Sequence, residues 1–104
     1  MSLTVHTSEG SYQFDGPHVN TASLSNRSGV YVITTIMSNG FHKVLDVGES
    51  RFVKDRILNH DRKGQWIQHQ LKNLCIAVLY CDEQARMSVE QQIRNFHSPP
   101  CGLQ

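Results

Sequence analysis

The stretch HKVLDVGESRFVKDRILNH, from His42 to His60, holds a strand pattern, a glycine and a helix pattern in immediate succession. The aliphatic residues of its first half favour a buried strand, yet Asp46 places a carboxylate in the middle of that strand. An unpaired charge is costly to bury. Asp46 therefore either faces solvent, or has a partner or a role that the neighbouring segments must supply.

The composition limits the class of protein. A chain of 104 residues with 38% hydrophobic content predicts one globular domain. No positively charged segment precedes an apolar one, and the longest strongly apolar run, Cys75–Tyr80, is far too short to cross a bilayer. We therefore expect a soluble protein with no membrane partner.

The cysteines and the net charge narrow the class further. Three cysteines match neither a secreted disulfide framework nor the spacing of a zinc site, which favours a cytoplasmic location. The net charge of +1 argues against binding nucleic acid through bulk charge alone. Any contact with nucleic acid must come from a local patch.

A β-hairpin is predicted around the start of the quoted stretch. The run VYVITTI (Val30–Ile36) is dense in β-branched residues, SNG follows it, and HKVLDVG (His42–Gly48) comes next. Asn-Gly is the preferred pair for a two-residue type I′ turn. With NG at the centre of the turn, Ser38 pairs with Phe41.

The register of this hairpin brings candidate functional residues together. Counting back from the turn places Ile33 opposite Asp46 and Tyr31 opposite Gly48. Side chains alternate between faces, so all four residues project from the same side, with Tyr31 and Asp46 as diagonal neighbours. Gly48 leaves space beside the phenol. This face is either the solvent side of the hairpin or the wall of a site.

The segment SRFVKDRILNH predicts a helix that follows Gly48 at once. Ser50 is a good N-cap, and the helical pattern extends to His60. Arg56 and His60 fall within the buried arc of this helix, one turn apart. The arc is otherwise formed by Phe52, Val53 and Ile57. An arginine paired with a nearby acid and a histidine satisfied in the core are the alternative to a functional role.

Two further elements are predicted before the last helix. QWIQHQLKN (residues 65–73) is expected to form a second short helix with Trp66, Ile67 and Leu71 directed inward. The continuous apolar run of Cys75–Tyr80 predicts a fully buried central strand. The polar first 27 residues contain one alternating piece, SYQF (Ser11–Phe14), that predicts an extra edge strand.

The segment DEQARMSVEQQIRNF (residues 82–96) has the strongest helix pattern in the chain. Its apolar stripe consists of Ala85, Val89, Ile93 and Phe96, and SPPCG ends the helix. Glu90 lies at the border of this stripe. It is either a site residue or a surface acid that pairs with Arg86 or Arg94 four residues away.

These residues together resemble the GIY-YIG nuclease domain family. The resemblance rests on GVY at Gly29–Tyr31, DVG at Asp46–Gly48, an arginine in the helix that follows, and an acid in a late helix ending at a Pro-Pro turn. It covers residues 28–102 and leaves residues 1–27 as a polar N-terminal segment. It implies an α+β fold with a three-stranded antiparallel sheet flanked by helices, in the order β-β-α-α-β-α.

The resemblance also implies catalytic roles. Tyr31 matches the tyrosine that activates or orients the attacking water, and Arg56 matches the arginine that contacts the scissile phosphate. His60 matches a histidine that assists proton transfer in the branch with an Arg-x-x-x-His pair. Glu90 matches the carboxylate that holds one Mg²⁺ or Mn²⁺ ion. Gly29 and Gly48 belong to the structural motifs.

The sequence departs from the family pattern at two positions. Asp46 stands where the second motif has a tyrosine, and the asparagine that follows the late proline turn has no counterpart, since Cys101 and Gly102 occupy that region. Asp46 is expected to be a second metal ligand beside Glu90 or a water-binding base. The competing hypothesis is a structural ion pair between Asp46 and Arg56.

The segment HDRKGQW (His60–Trp66) is the predicted nucleic-acid-binding edge. Arg62 and Lys63 would contact the backbone and Trp66 would stack on a base, whereas a solvated loop with a core tryptophan is the alternative. The sequence thus predicts a metal-dependent endonuclease acting on DNA, which could be branched or single-stranded. The alternative is a catalytically degenerate relative that binds nucleic acid or another protein. The oligomeric state is left open.

Overall fold

The computed structural model describes residues 1–70 and 73–102 as a small α+β domain with one antiparallel sheet and three α-helices. The elements in chain order are β1 (Ser2–Thr7), β2 (Gly10–His18), a 3₁₀ turn (Thr21–Ser23), β3 (Gly29–Ile36), β4 (His42–Ser50), α1 (Val53–Leu58), α2 (Lys63–His69), β5 (Leu74–Tyr80) and α3 (Glu83–His97). Within this part of the chain, no helix combines the length and the apolar character needed to cross a membrane.

The sheet has five strands in the order β1-β2-β5-β3-β4, so the predicted three-stranded sheet is wrong. The two additional strands come from the polar N-terminal segment. Ser11–Phe14 lies in β2, which pairs with both β1 and β5 and is not an edge strand. The predicted element order holds only from Gly29 onward, because β1 and β2 precede it. The run Cys75–Tyr80 lies in β5, at the centre of the sheet as expected.

The turn between β3 and β4 is longer than predicted. The backbone N–H of Met37 donates to the carbonyl of Phe41 at 2.7 Å, so three residues form the loop, not two. The N–H of Gly40 donates to the carbonyl of Met37 at 2.9 Å, and Gly40 has a φ of +86°. A glycine tolerates this left-handed conformation, which is typical of three-residue hairpin loops.

A β-bulge in β4 restores the register that the longer turn would have shifted. Thr34 pairs with Val44, whereas Ile33 pairs with Asp46, so Leu45 is an extra residue in β4. Beyond the bulge, Tyr31 pairs with Gly48, as the sequence predicted. The predicted turn type is therefore wrong, and the predicted pairing around the candidate site is confirmed.

The sheet separates two hydrophobic clusters. Helices α1 and α2 cover the first cluster, which contains Leu24, Tyr31, Ile33, Leu45, Val53, Ile57, Trp66, Val78 and Cys101. Helix α3 covers the second cluster, which contains Val5, Phe14, Val30, Val32, Val47, Ala77, Val89 and Ile93. Successive residues of β3 alternate between the two clusters, as strand geometry requires.

Helix α1 begins two residues later than predicted, because its N-cap position is Phe52 and not Ser50. Its first residue is Val53, and the hydroxyl of Ser50 accepts a hydrogen bond from the N–H of Phe52 at 3.0 Å, before the helix starts. Val53 and Ile57 are buried as expected, but Phe52 is 48% exposed because it precedes the helical turn. The predicted inward direction of Phe52 is wrong.

Only some of the apolar residues predicted to face inward from α2 and α3 are buried. Trp66 is buried, but Ile67 is 60% exposed, and Leu71 lies outside the described residues. In α3, Val89 and Ile93 are buried, whereas Phe96 is 51% exposed. The carboxylate of Asp82 caps α3 by accepting the N–H of Ala85, and Ser98 ends the helix in the left-handed conformation. Phe96 lies in the last turn, where α3 has passed the edge of its cluster.

Candidate functional site

A cleft of about 620 Å³ opens beside the edge strand β4, between α1 with the loop that follows it on one side and the second half of α3 on the other. It combines a phenol, two carboxylates and three guanidinium groups. The residues that supply these groups, with the glycine beside them, are Tyr31, Gly48, Glu49, Arg56, Arg62, Glu90 and Arg94. The structure thus brings the predicted Tyr31, Arg56 and Glu90 to one cleft, although they come from different elements.

The phenol of Tyr31 lies directly over Gly48. Tyr31 is 1% exposed, and a Cβ atom on residue 48 would overlap the phenol oxygen and the adjoining ring carbon. No residue other than glycine fits at this position without displacing the phenol. The glycine of the DVG motif is therefore required by the placement of Tyr31.

His60 lies behind Tyr31 and is hydrogen-bonded to it. The imidazole Nε2 is 2.7 Å from the phenol oxygen, and the backbone N–H of Arg62 donates to Nδ1 at 3.1 Å. Because Nδ1 accepts this hydrogen bond, the neutral ring carries its hydrogen on Nε2 and donates it to Tyr31. The carboxylate of Asp61 lies 3.3 Å from Nδ1.

The environment keeps His60 neutral at neutral pH. Burial, together with the positive charges of Arg56 and Arg62, lowers the pKa of His60 from 6.5 to about 4. The Trp66 ring packs against the imidazole with a centroid distance of 4.7 Å. A neutral imidazole with a fixed tautomer holds the phenol in one orientation.

Tyr31 is protonated at neutral pH. Burial raises the pKa of its phenol from 10.0 to about 12, with the charge and hydrogen bond of Arg56 acting in the opposite direction. Since the phenol oxygen accepts a hydrogen from His60, the hydrogen of its own hydroxyl remains to be donated to a group in the cleft. A protonated phenol in this position orients a ligand rather than removing a proton from it.

Asp46 is completely buried beneath the cleft and accepts five hydrogen bonds. Arg62 donates from Nε at 2.7 Å and from Nη2 at 3.3 Å, and Trp66 donates from Nε1 at 2.8 Å. The remaining donors are the N–H of Val47 at 2.8 Å and Nη2 of Arg94 at 3.4 Å. A buried carboxylate with this many donors is fully satisfied.

The hypothesis of an ion pair between Asp46 and Arg56 is wrong. Asp46 pairs with Arg62 and Arg94, whereas Arg56 pairs with Asp61 at 3.5 Å. Helix α1 directs Arg56 toward the cleft opening, where its side chain is 40% exposed. The loop after α1 brings Arg62 back across the hairpin, above Asp46.

Arg94 and Glu90 tie helix α3 to β4. Arg94 donates from Nε to Glu90 at 3.3 Å, from Nη1 to the carbonyl of Gly102 at 3.4 Å, and from Nη2 to the carbonyl of Val47. Of the two helical partners expected for Glu90, Arg94 is the one observed, since Arg86 pairs instead with Glu49 of β4 at 2.9 Å. Glu90 nevertheless lines the cleft.

The predicted nucleic-acid-binding edge is divided by the structure. Arg62 lines the cleft, and Lys63 donates from Nζ to the last carbonyl of α1, that of Leu58, at 2.6 Å. Trp66 is 4% exposed and its indole N–H is bonded to Asp46. Its ring is not offered to a base, and the alternative of a core tryptophan describes its position.

The carboxylates of the cleft are suited to a divalent cation only in combination with a substrate. No group of three His, Cys, Asp or Glu side chains that could hold a metal ion occurs among residues 1–70 and 73–102. Glu90 is 20% exposed, and one of its oxygens bonds to Arg94. Magnesium keeps several waters and often takes one or two carboxylates plus substrate phosphate. Glu90 fits such a site, whereas the oxygens of Asp46 are taken by N–H donors.

Sequence reasoning missed Arg94 and the C-terminal turn as parts of the site. The N–H of Cys101 donates to the carbonyl of the bulged Leu45 at 2.9 Å, and a Cβ atom on residue 102 would lie 2.9 Å from Nε of Arg62. The four-residue spacing between Glu90 and Arg94 indicated an ion pair on α3. Nothing in that spacing indicated that Arg94 would also reach Asp46, across the edge of the sheet.

The comparisons with known proteins add no family to these observations. No family model, no curated protein and no solved structure matches the chain.

Proposed function

We propose that the cleft binds the phosphodiester backbone of DNA and hydrolyses one of its bonds with the help of Mg²⁺ or Mn²⁺. The observation that carries this proposal is the convergence of Tyr31, Arg56 and Glu90 on one open cleft. Their side chains provide a hydrogen-bond donor, a positive charge and a cation ligand. Phosphoryl transfer requires these functions together, because catalysis rests on positioning and on stabilising negative charge.

Arg56 is suited to contact the phosphoryl oxygens. Its side chain is 40% exposed at the cleft opening, and its observed partner, Asp61, is 76% exposed, so the ion pair is weak and readily exchanged for a phosphate. A guanidinium offers paired N–H groups that match the geometry of phosphate oxygens. Arg56 therefore stabilises the charge that develops on the phosphate.

Tyr31 and His60 position the reacting groups. The neutral imidazole donates from Nε2 to the phenol oxygen over 2.7 Å, and the phenol donates its own hydrogen into the cleft. A phenol with a pKa of about 12 does not act as a base at neutral pH. We assign to Tyr31 the role of orienting the attacking water or a phosphate oxygen, which is one of the two roles that the resemblance implied.

Glu90 is the residue that would hold the divalent cation. One of its oxygens bonds to Arg94, which orients the carboxylate on the wall of the cleft. When bound, the ion supplies positive charge to the phosphate and to the leaving oxygen.

The proposal is tested by cleavage of labelled branched, single-stranded and duplex DNA with Mg²⁺ or Mn²⁺. We expect turnover by the unaltered protein, loss of turnover in Glu90→Ala and Arg56→Ala, and unchanged turnover in Glu83→Ala. Glu83 is a matched control because it is an exposed acid in the first turn of the same helix. Equal cleavage by the unaltered protein and Glu90→Ala would contradict the proposal.

A second candidate function is binding of nucleic acid without cleavage. It is favoured by Asp46, whose carboxylate stands at the position of a motif tyrosine and is buried away from the cleft. In that case labelled DNA binds equally well with EDTA or with Mg²⁺, Arg56→Ala weakens binding, and no substrate is cleaved. The same set of DNA substrates thus distinguishes the two functions.

A further inference from the structure

Arg62 is anchored along one edge of its guanidinium. Nε donates to Asp46 at 2.7 Å and Nη2 donates to the other oxygen of the same carboxylate at 3.3 Å, which is the paired geometry of a strong charge-assisted contact. Asp46 itself cannot move freely, because the indole of Trp66 and the N–H of Val47 bind it as well. The side chain of Arg62 is 22% exposed and lines the cleft.

The opposite edge of the Arg62 guanidinium has no hydrogen-bond partner among the described residues. Within residues 1–70 and 73–102, Nη1 of Arg62 makes no hydrogen bond. Arg94 differs, because Nε, Nη1 and Nη2 all donate to protein atoms. Of the two arginines that share Asp46, Arg94 therefore has a structural role, whereas Arg62 retains N–H donors that are not bonded to described protein atoms.

The charged groups at this corner of the cleft are paired. Arg62 and Arg94 share Asp46, and Arg94 also pairs with Glu90, so these four groups together have no net charge and Asp46 mainly fixes the orientation of Arg62. Burial opposes the charge on Arg62, but the hydrogen bonds and the charge of Asp46 outweigh this and raise its pKa. A side chain that is already held in place loses little freedom when it binds an anion.

The position of Arg62 also links it to the candidate catalytic pair. Its backbone N–H donates to Nδ1 of His60, so the residue that rests on Asp46 also fixes the imidazole that orients Tyr31. A displacement of Arg62 would therefore be transmitted to the phenol. Asp46, although it does not line the cleft, acts on the cleft through this residue.

We propose that Asp46 is a positioning residue that holds Arg62 as a second phosphate-binding arginine of the cleft, beside Arg56. This inference rests on the proposed binding of a phosphodiester chain. It gives Asp46 a role different from the expected metal ligand or base, and it explains how an acid serves at this position. The acid acts through a cation placed between it and the substrate phosphate.

The test measures binding of single-stranded hexathymidylate in EDTA at several salt concentrations. Removing one charged hydrogen-bonding partner should weaken binding about tenfold in Arg62→Gln. The slope of log affinity against log salt should fall by about 0.7, since one phosphate contact on a single strand is lost. Arg27→Gln is the matched control, because Arg27 is an exposed arginine stacked on Tyr80 and does not line the cleft.

The role of Asp46 is tested by its coupling to Arg62. Asp46→Asn should weaken binding about fivefold in the unaltered background and have no further effect in Arg62→Gln, since both changes remove the same contact. Arg62→Lys keeps the charge but loses the paired contact with Asp46. It should restore the salt slope and leave the affinity reduced, a result that does not depend on whether Asp46→Asn folds.

Two outcomes overturn the inference, and they can be told apart from failure of the proposed function. Equal affinity and equal salt slope in Arg62→Gln, with weaker binding in Arg56→Gln, show that the cleft binds phosphate but Arg62 does not. Additive effects of Asp46→Asn and Arg62→Gln show that Asp46 does not act through Arg62. Absence of binding by the unaltered protein rejects the proposed function together with this inference.

Discussion

On the α3 side of the sheet the buried cluster is made of hydrocarbon side chains, whereas on the α1–α2 side a phenol, an imidazole, an indole and a carboxylate are buried together. Val32, Val47 and Ile93 represent the first side, and Tyr31 and Asp46 the second. Burial of hydrocarbon needs only complementary shape, but each buried polar atom needs a partner. Among the described residues, every buried side-chain nitrogen and oxygen has one.

The difference lies in what holds the buried side chains in place, which is hydrocarbon packing on the α3 side and hydrogen bonding on the α1–α2 side. The polar side faces the cleft, and its buried groups are joined in a network from Asp46 through Arg62 and His60 to Tyr31. Hydrocarbon side chains in these positions would pack without needing partners. The complete network, at the edge where the cleft opens, fixes the positions of these side chains relative to one another.

Removal of the buried carboxylate should give the largest difference in stability loss between a variant on the polar side and a variant on the hydrocarbon side. Asp46→Ala removes the acceptor of the Trp66 indole and of the Arg62 guanidinium and one of the acceptors of Arg94, and we expect the free energy of unfolding to fall by about 3–5 kcal/mol. Ile93→Val, a loss of one methylene on the hydrocarbon side, should cost about 0.5–1.5 kcal/mol. Urea unfolding of both variants measures the contrast. Equal losses would show that the network adds nothing to packing.

Acidification should lower the stability of the protein through His60, which lies on the polar side of the sheet. The pKa of His60 is about 4 in the folded protein and 6.5 without burial, so below pH 6.5 the unfolded chain binds a proton that the folded chain does not. The contribution of neutral His60 to the free energy of unfolding is therefore fully present above pH 6.5. It is lost as the pH decreases to about 4, which lowers the free energy of unfolding by on the order of 3 kcal/mol.

This pH dependence is measured by urea unfolding between pH 4 and pH 7, a range set by the same two pKa values. His60→Gln removes the titrating ring and can still donate a hydrogen bond to Tyr31, so the difference between the two curves isolates His60. Parallel curves for the two proteins would contradict the lowered pKa.

Substitution of Gly48 should have the smallest of the three effects on stability, and it should act by displacing the phenol of Tyr31. Gly48→Ala forces the phenol of Tyr31 away from its position, and we expect a loss of about 1–3 kcal/mol together with weaker DNA binding. Gly64→Ala is the matched control, because a Cβ there meets no atom within 4 Å and α2 gains an alanine. It should stabilise the protein by about 0.5–1 kcal/mol. Thermal unfolding of both variants decides whether Gly48 supports Tyr31.

The part of the fold predicted from the sequence is the part with strong local patterns. The β-branched run of β3, the apolar run of β5 and the stripe of α3 each indicated their element, and the pairing of Tyr31 with Gly48 was predicted correctly. The register is confirmed only because a bulge at Leu45 offsets the longer turn. Strands β1 and β2 lack comparable apolar runs, since only one side of each is buried, so their polar sequence predicted no more than one edge strand.

Part of the membership of the candidate site was predictable from the sequence, but its pairings were not. Helical periodicity placed Arg56 and Glu90 near the buried faces of their helices, and both line the cleft. The competing hypothesis paired Asp46 with Arg56, but α1 begins at Val53, and the turn after it carries Arg62 back over the strand. A shift of a few residues in the start of a short helix decides which of two arginines reaches a fixed carboxylate.

By itself, the sequence determined which residues alternate along the strands, where the glycine must accommodate the phenol, and which charged groups lie near buried faces. These properties depend on neighbours within a few residues, through strand and helix periodicity. Only the tertiary structure decided that Arg62 and Arg94 share Asp46, and that Trp66 binds the same carboxylate instead of a base. These pairings depend on how separate elements cross in space, and on the rule that a buried charge must collect every donor within reach.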